Sequence, residues 1–119
     1  MKIAITAQGK NLDSKVDARF GRAKGFILYD TDDNSFEYID NEQNLNLPQG
    51  AGIQSAKNII NSGARALVTG HVGPKAYTTL SASDIEIYNG AEGSIQDAID
   101  DFKNGRLERA GGADVDGHW

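Results

Sequence analysis

Cysteine is missing from all 119 residues. Disulfides and thiolate ligation within the chain are therefore excluded. A metal centre bound here would have to bring its own sulfur or use histidine, carboxylate or backbone groups. Histidine is scarce, with His71 and His118 the only two. No apolar run approaches the roughly 20 residues of a membrane span. The opening Met1-Lys2-Ile3-Ala4-Ile5-Thr6-Ala7 is too short and too strand-like for a secretory signal, so the protein is expected in the cytoplasm, away from membranes. Positive charge is in deficit: 12 Lys and Arg against 17 Asp and Glu give a net charge of −5 and a pI near 4.8. That balance argues against general nucleic-acid binding, which relies on neutralising phosphates, but leaves room for a local basic pocket. The glycines lack the spacing of a P-loop or a dinucleotide fingerprint. Ser55, Ser62, Ser81 and Ser83 lack a nucleophile-elbow context. Asp30, Asp32 and Asp33 could hold a divalent metal, yet they fall at a hairpin turn, where acidic residues are ordinary.

What is present centres on Ala66-Leu67-Val68-Thr69-Gly70-His71-Val72-Gly73-Pro74-Lys75-Ala76-Tyr77. It reads as a buried strand at 66–69, a glycine-bracketed turn carrying His71, and a helix from Pro74. Proline suits the first helical position because its missing N–H costs nothing there. Gly70 and Gly73 let the backbone turn sharply and leave the turn uncovered. Ligands of open α/β sheets bind at the carboxyl ends of strands, and helix N-termini attract anions.

The rest of the chain supplies a single domain. Lys2–Ala7 is a strand with alternating Ile3 and Ile5. Residues 8–25 form a long loop with no clear period, expected to be mobile without ligand because it has few apolar anchors. Within it Arg19, Arg22 and Lys24 place three positive charges in six residues. Residues 26–30 and Phe36–Asp40 read as a β-hairpin around Thr31-Asp32-Asp33-Asn34-Ser35. Residues 41–49 are a polar connector ending in Pro48. A helix spans 50–62, with Ile53, Ala56, Ile59 and Ile60 facing inward and Gly63 stopping it. After the strand at 66–69, a helix over Pro74–Ala82 faces inward with Ala76, Tyr77 and Leu80. Residues 85–88 form the last strand, and Asn89-Gly90-Ala91-Glu92-Gly93 is another glycine-rich turn. Ser94 caps a third helix with Asp97 three residues on; its buried face is Ile95, Ala98, Ile99 and Phe102, and Gly105 ends it. The order β, loop, β-hairpin, α-β-α-β-α implies an α/β fold: a mixed sheet of about five strands with helices on both faces in three layers. Residues 1–108 are the domain. Residues 109–119 are a flexible Gly/Asp-rich end to a mobile tail that starts at Arg106, and there is no internal repeat.

Three glycine-containing segments are expected to meet at one sheet end: Arg19-Phe20-Gly21-Arg22, Gly50-Ala51-Gly52 and Gly70-His71-Val72-Gly73-Pro74. Asn89-Gly90 could form a fourth wall. Guanidinium groups, free backbone N–H groups and one imidazole suit a polyanion. Plainer readings stand beside this one. His71 could be an ordinary turn residue, Arg19 and Arg22 could form surface ion pairs, Gly50-Ala51-Gly52 could be a loop, and Phe20 could plug the core. Functionally, a small enzyme acting on a phosphorylated metabolite at the His71 turn, or a ligand-free regulatory module docking on a partner, are the alternatives to an anion carrier.

At these residues the chain resembles the dinitrogenase iron–molybdenum cofactor biosynthesis family, which includes NifX, the C-terminal part of NifB and NafY. Within it the likeness is to small stand-alone members of the orange-protein type. The matching features are Lys2-Ile3-Ala4-Ile5-Thr6, Asp17-Ala18-Arg19-Phe20-Gly21-Arg22, Gly50-Ala51-Gly52, Val68-Thr69-Gly70-His71-Val72-Gly73-Pro74-Lys75-Ala76, and Asn89-Gly90-Ala91 before the helix of Ala98-Ile99. The resemblance implies a ribonuclease H-like α/β/α fold without nuclease chemistry. It also implies a non-enzymatic carrier or storage protein for a molybdenum-containing metal–sulfide cluster, of Mo–Cu or Fe–Mo type, bound non-covalently and without cysteine. Carried onto this chain, the binding residues are Arg19, Phe20, Gly21, Arg22, Gly50, Ala51, Gly52, Gly70, His71, Val72, Gly73 and Pro74, with His71 as metal ligand. A cluster donor or acceptor protein is the implied partner, and a monomer is favoured. With only His118, the tail departs from the His-rich ends of some relatives.

Overall fold

The computed structural model describes residues 1–44 and 50–113. Residues 45–49, with Pro48, and the end of the chain, with His118, lie outside the described residues. Five strands and three helices follow in the order β1 (Lys2–Ala7), β2 (Gly25–Asp30), β3 (Phe36–Asp40), α1 (Ala51–Asn61), β4 (Ala66–Val68), α2 (Pro74–Ala82), β5 (Glu86–Tyr88) and α3 (Ile95–Lys103), with a short 3₁₀ turn at Glu42–Asn44 between β3 and α1. The sheet order is β3-β2-β1-β4-β5. The hairpin pairs antiparallel, running from Lys2↔Asp30 to Ala7↔Gly25 and from Gly25↔Asp40 to Tyr29↔Phe36. The α/β half pairs parallel, Ile3↔Ala66 and Ala66↔Glu86. The sheet is therefore mixed, as the element order implies.

Alternation along the strands gives the sheet two apolar faces. Ala4, Phe26, Leu28, Leu67 and Ile87 pack with Ala56 and Ile59 of α1 and Ala76 and Leu80 of α2. Ile3, Ile5, Ile27, Ala66 and Val68 pack with Ile95, Ala98 and Ile99 of α3. The result is three layers, with two helices on one face and one on the other. Since β1, β4 and β5 run parallel, the helices that follow β4 and β5, and α1 which precedes β4, all start at the carboxyl rim of these strands.

Three details depart from the sequence reading. The buried residues of α1 are Ala51, Ser55, Ala56 and Ile59, while Ile53 and Ile60 are only half-buried. The helix turns its small residues inward because it runs close to α2: a Cβ placed on Gly52 would lie 3.4 Å from that of Ala76. Second, β5 starts at Glu86, since the Ile85 N–H closes the preceding turn onto the Leu80 carbonyl at 3.2 Å. Third, the chain at Arg109 and Ala110, beyond α3, stays on the domain. Arg109 pairs antiparallel with Tyr88, the Ala110 N–H donates to the Ile87 carbonyl at 2.7 Å, and the Tyr77 hydroxyl donates to the Ala110 carbonyl at 3.3 Å. This stretch covers the otherwise open edge of β5, so the expected boundary at 108 falls within a docked segment. The capping box of α3 forms as expected: the Asp97 N–H donates to Ser94 Oγ at 3.0 Å and the Ser94 N–H to Asp97 Oδ2 at 3.1 Å. Among the described residues no helix is long and apolar enough to cross a membrane.

Truncation of Leu67, fully buried in the central sheet, is expected to cost about 2–5 kcal/mol. Ser94→Ala, which removes only a cap, should cost about 1 kcal/mol. Urea unfolding of both variants checks the order; a Ser94 loss equal to that of Leu67 would contradict it.

Candidate anion-binding site at the carboxyl rim

The loop after β1 returns to the sheet and continues it. The Asp17 N–H donates to the Thr6 carbonyl at 2.8 Å, the His71 N–H to the Ala18 carbonyl at 2.8 Å, and the Phe20 N–H to the His71 carbonyl at 3.2 Å. Arg19 and His71 thus form a parallel bridge above the ends of β1 and β4. Gly70 makes this possible, because a Cβ there would lie 2.7 Å from both the Cα and the carbonyl oxygen of Ala18. Beneath the bridge, buried Thr6 Oγ1 is hydrogen-bonded to the Asp17 carbonyl at 2.7 Å and to the buried Thr69 hydroxyl at 2.9 Å. The Asp17 carboxylate accepts the Arg19 N–H at 3.1 Å, which shapes the turn presenting Arg19. On the other side of His71, the Gly90 N–H donates to the Gly70 carbonyl at 2.8 Å and the Ala91 N–H to that of Thr69 at 3.1 Å. Asn89-Gly90 is therefore a wall of the same rim.

The three helix N-termini at this rim are not equivalent. That of α3 is closed: besides its capping box, the Ile95 and Gln96 N–H groups donate to the Ser14 and Leu12 carbonyls at 2.8 and 2.9 Å. Among the described residues no side chain caps α1 or α2, and neither carries an acidic residue in its first turn. Each leaves a positive dipole end, equivalent to about half a charge. The Gly52–Ala76 contact sets these two ends side by side. Gly50, at the α1 cap, has φ of 83°, a conformation that side chains disfavour.

The residues singled out from sequence fall as follows. Arg19 is exposed, Arg22 half-buried and His71 half-buried, all at this rim; Gly50, Gly52 and Pro74 are open to it, while Gly21, Ala51, Gly70 and Gly73 are buried backbone supports. Phe20 and Val72 are both fully buried. Phe20 packs on Phe26 with ring centroids 5.9 Å apart, so these two side chains hold the loop and the turn from below and do not wall a ligand. For the same reason the loop is better anchored than its sequence suggests: Val16, Phe20 and Ala23 are buried, and its backbone is bonded from Gln8, whose N–H donates to the Lys15 carbonyl at 2.9 Å, to Lys24, which accepts the Asn41 N–H at 2.8 Å. Sequence reasoning missed Thr6, Thr69, Asn41 and Ser55 as supports. A threonine near the carboxyl end of each of two parallel strands was the available signal. Among the described residues no three His, Cys, Asp or Glu side chains gather as a metal cage. What the rim offers is N–H and guanidinium groups with His71 beside them, a set whose chemistry suits an anion.

Comparison with known proteins places this fold in a lineage. The model of the dinitrogenase iron-molybdenum cofactor family matches residues 1–105. The apo form of the orange protein from Desulfovibrio gigas has a TM-score of 0.94 at 41% identity, covering 96% of each chain. A candidate NifB protein from Thermotoga, of the DUF35 family, has a TM-score of 0.80 at 36% identity, covering 91% of each. An uncharacterised protein of Methanocaldococcus jannaschii is 30% identical over 112 residues, 92% of this chain and 91% of its own. The chain belongs to the dinitrogenase iron-molybdenum cofactor family, and its resemblance to NifX-like and orange-protein-like members stands on both sequence and fold.

Gly70→Ala is expected to cost about 1–3 kcal/mol, because the added methyl meets backbone that cannot rotate aside, and to shift the amide resonances of Ala18 through Phe20. Gly111, where an added methyl would meet nothing within 4 Å, should accept alanine within about 0.5 kcal/mol. Thermal unfolding and amide NMR check the pair; a silent Gly70→Ala would contradict the packing described.

Proposed function

We propose that this member of the family is a non-enzymatic carrier or storage protein whose cargo is an anionic, molybdenum-containing metal–sulfide cluster, of Mo–Cu or Fe–Mo type, held at the carboxyl rim. The observation that carries the reading is the pairing of two helix N-termini without side-chain caps beside a loop bearing Arg19 and Arg22, which is bonded to the His71 turn. In a chain of net charge −5, two arginines beside two helix N-termini make a local positive region suited to an anion. Sulfide or oxo atoms accept hydrogen bonds from first-turn N–H groups of α1 and α2. The guanidinium groups of Arg19 and Arg22 neutralise the cargo's charge, with geometry suited to multidentate contact. His71, half-buried at the centre, supplies the one imidazole, as ligand or hydrogen-bond partner. A chain without cysteine suits a cargo that arrives with its own sulfide. Of the serines considered as nucleophiles, Ser55 is fully buried with its hydroxyl near the Gly21 carbonyl at 3.3 Å, and Ser81 sits at the far end of α2. Because the rim is a surface feature, a donor or acceptor protein can approach the cargo there.

Reconstitution with tetrathiomolybdate and copper, followed by visible absorbance after gel filtration, tests the reading. Arg22→Ala and His71→Ala should each lower retention by roughly tenfold, the scale of one charge-assisted contact, with the fold intact by circular dichroism. Lys57→Ala, on the exposed side of α1, should retain the chromophore. Undiminished retention in both rim variants would defeat the assignment. Because the attraction is largely electrostatic, retention should also fall as salt rises from about 0.05 to roughly 0.5 M.

A further inference from the structure

Under the arginine loop lies a set of uncharged polar side chains that is fully enclosed. Asn41 and Ser55 are both 0% exposed. Asn41 Nδ2 donates to the Ala23 carbonyl at 3.0 Å and to Ser55 Oγ at 3.1 Å. Ser55 Oγ lies 3.3 Å from both the Gly21 carbonyl and Asn41 Oδ1. Asn58 Nδ2 donates to Asn41 Oδ1 at 3.2 Å, and the Asn41 N–H donates to the Lys24 carbonyl at 2.8 Å. Three chain segments meet here: the residue after β3, the inner face of α1, and the loop at 21–24.

Burying two polar side chains is costly unless every group is bonded, and an apolar pair of the same shape would fill the space without that risk. What a polar pair adds is direction. The Gly21 carbonyl belongs to the peptide that enters Arg22 and the Ala23 carbonyl to the peptide one residue beyond it, while the Ala23 N–H donates to the Phe20 carbonyl at 3.4 Å, so the backbone is held on both sides of Arg22. The other end of the network is Ser55, one turn along α1 from Ala51, at the uncapped N-terminus. One set of hydrogen bonds therefore sets both the direction in which Arg22 leaves the backbone and its distance from the α1 N-terminus.

We infer that Asn41 and Ser55 are positioning residues that hold Arg22 in register with the α1 N-terminus. The inference rests on the anion-binding reading of the rim for its consequence, and on the network alone for its mechanism. Neither residue touches the ligand. Both act through Arg22, which separates this role from simple core packing: their loss matters for binding only while Arg22 is present.

A double-mutant cycle reads this directly. Tetrathiomolybdate is the probe, and its dissociation constant is measured for the unaltered protein, Ser55→Ala, Arg22→Ala and the double variant. Ser55→Ala should weaken binding by about tenfold when Arg22 is present, the scale expected when a binding group loses its alignment, and by less than about twofold when it is absent. No loss, or an equal loss in both backgrounds, overturns the inference. Hydrogen exchange on the ligand-free protein gives a second readout: Ser55→Ala should speed exchange at residues 22–24 and leave His71 unchanged, and unaltered exchange at 22–24 also overturns it. Asn58→Ala, half-buried at the network's edge, should show the same pattern at smaller size if Ser55→Ala does not fold. If the unaltered protein binds no tetrathiomolybdate, the carrier reading falls, and the exchange measurement then decides the positioning role.

Discussion

Gly70 has no side chain, and the backbone of Ala18 occupies the space one would fill. On that contact depends the meeting of the arginine loop with the histidine turn. With it in place, the His71 N–H and carbonyl bond to Ala18 and Phe20, and the segment at 17–20 extends the sheet past the ends of β1 and β4. The buried Thr6 and Thr69 hydroxyls lock the same junction from below. Phe20, packed on Phe26, anchors the loop in the core, so that the arginines on either side of it stay at the rim. An ordered platform of this kind has lost much of its conformational freedom before any ligand arrives, which lowers the entropy that binding must overcome.

Helix ends and arginines then give this rim of an acidic chain its donors. Three helices begin here, and among the described residues α3 has its first turn closed by Ser94, Asp97 and the carbonyls of Ser14 and Leu12, whereas α1 and α2 show no side-chain cap. The two without side-chain caps are the two that touch, at Gly52 and Ala76. Small residues are needed at that contact, since a larger side chain would push the helix ends apart and divide the field they share. Arg19 and Arg22 add full charges to the partial ones. The family is named for an iron-molybdenum cofactor, and the proposed cargo, one that brings its own sulfide, matches a site rich in N–H donors in a chain with no cysteine.

Much of this could be read from the chain. Periodicity and turn chemistry placed all five strands and three helices within a residue or two, because each apolar stripe matches one face of one element; β1, β3 and α2 fall where the pattern puts them. The convergence of the arginine loop, the Gly50-Ala51-Gly52 helix start and the His71 turn followed from parallel topology. What could not be read are matters of side-chain direction. Phe20 and Val72 sit beside exposed residues in sequence, and only the packing reveals that they point into the core. Ser55 looks like an ordinary polar helix residue until Asn41 and the Gly21 carbonyl are found against it. The loop looked loosely held because its anchors are backbone hydrogen bonds and isolated buried residues, which leave no period. Arg109 and Ala110 resemble tail until the open edge of β5 is considered.

The most direct test of the account is where the cargo sits. Crystals of protein reconstituted with tetrathiomolybdate and copper, measured across the molybdenum absorption edge, locate the metal without reference to any mutation. The account predicts one anomalous peak at the carboxyl rim, within contact distance of His71 and Arg22 and facing the first turns of α1 and α2. A peak at the opposite end of the sheet, in the cleft of about 630 Å³ lined by Arg65, Glu86 and Arg109, would contradict it.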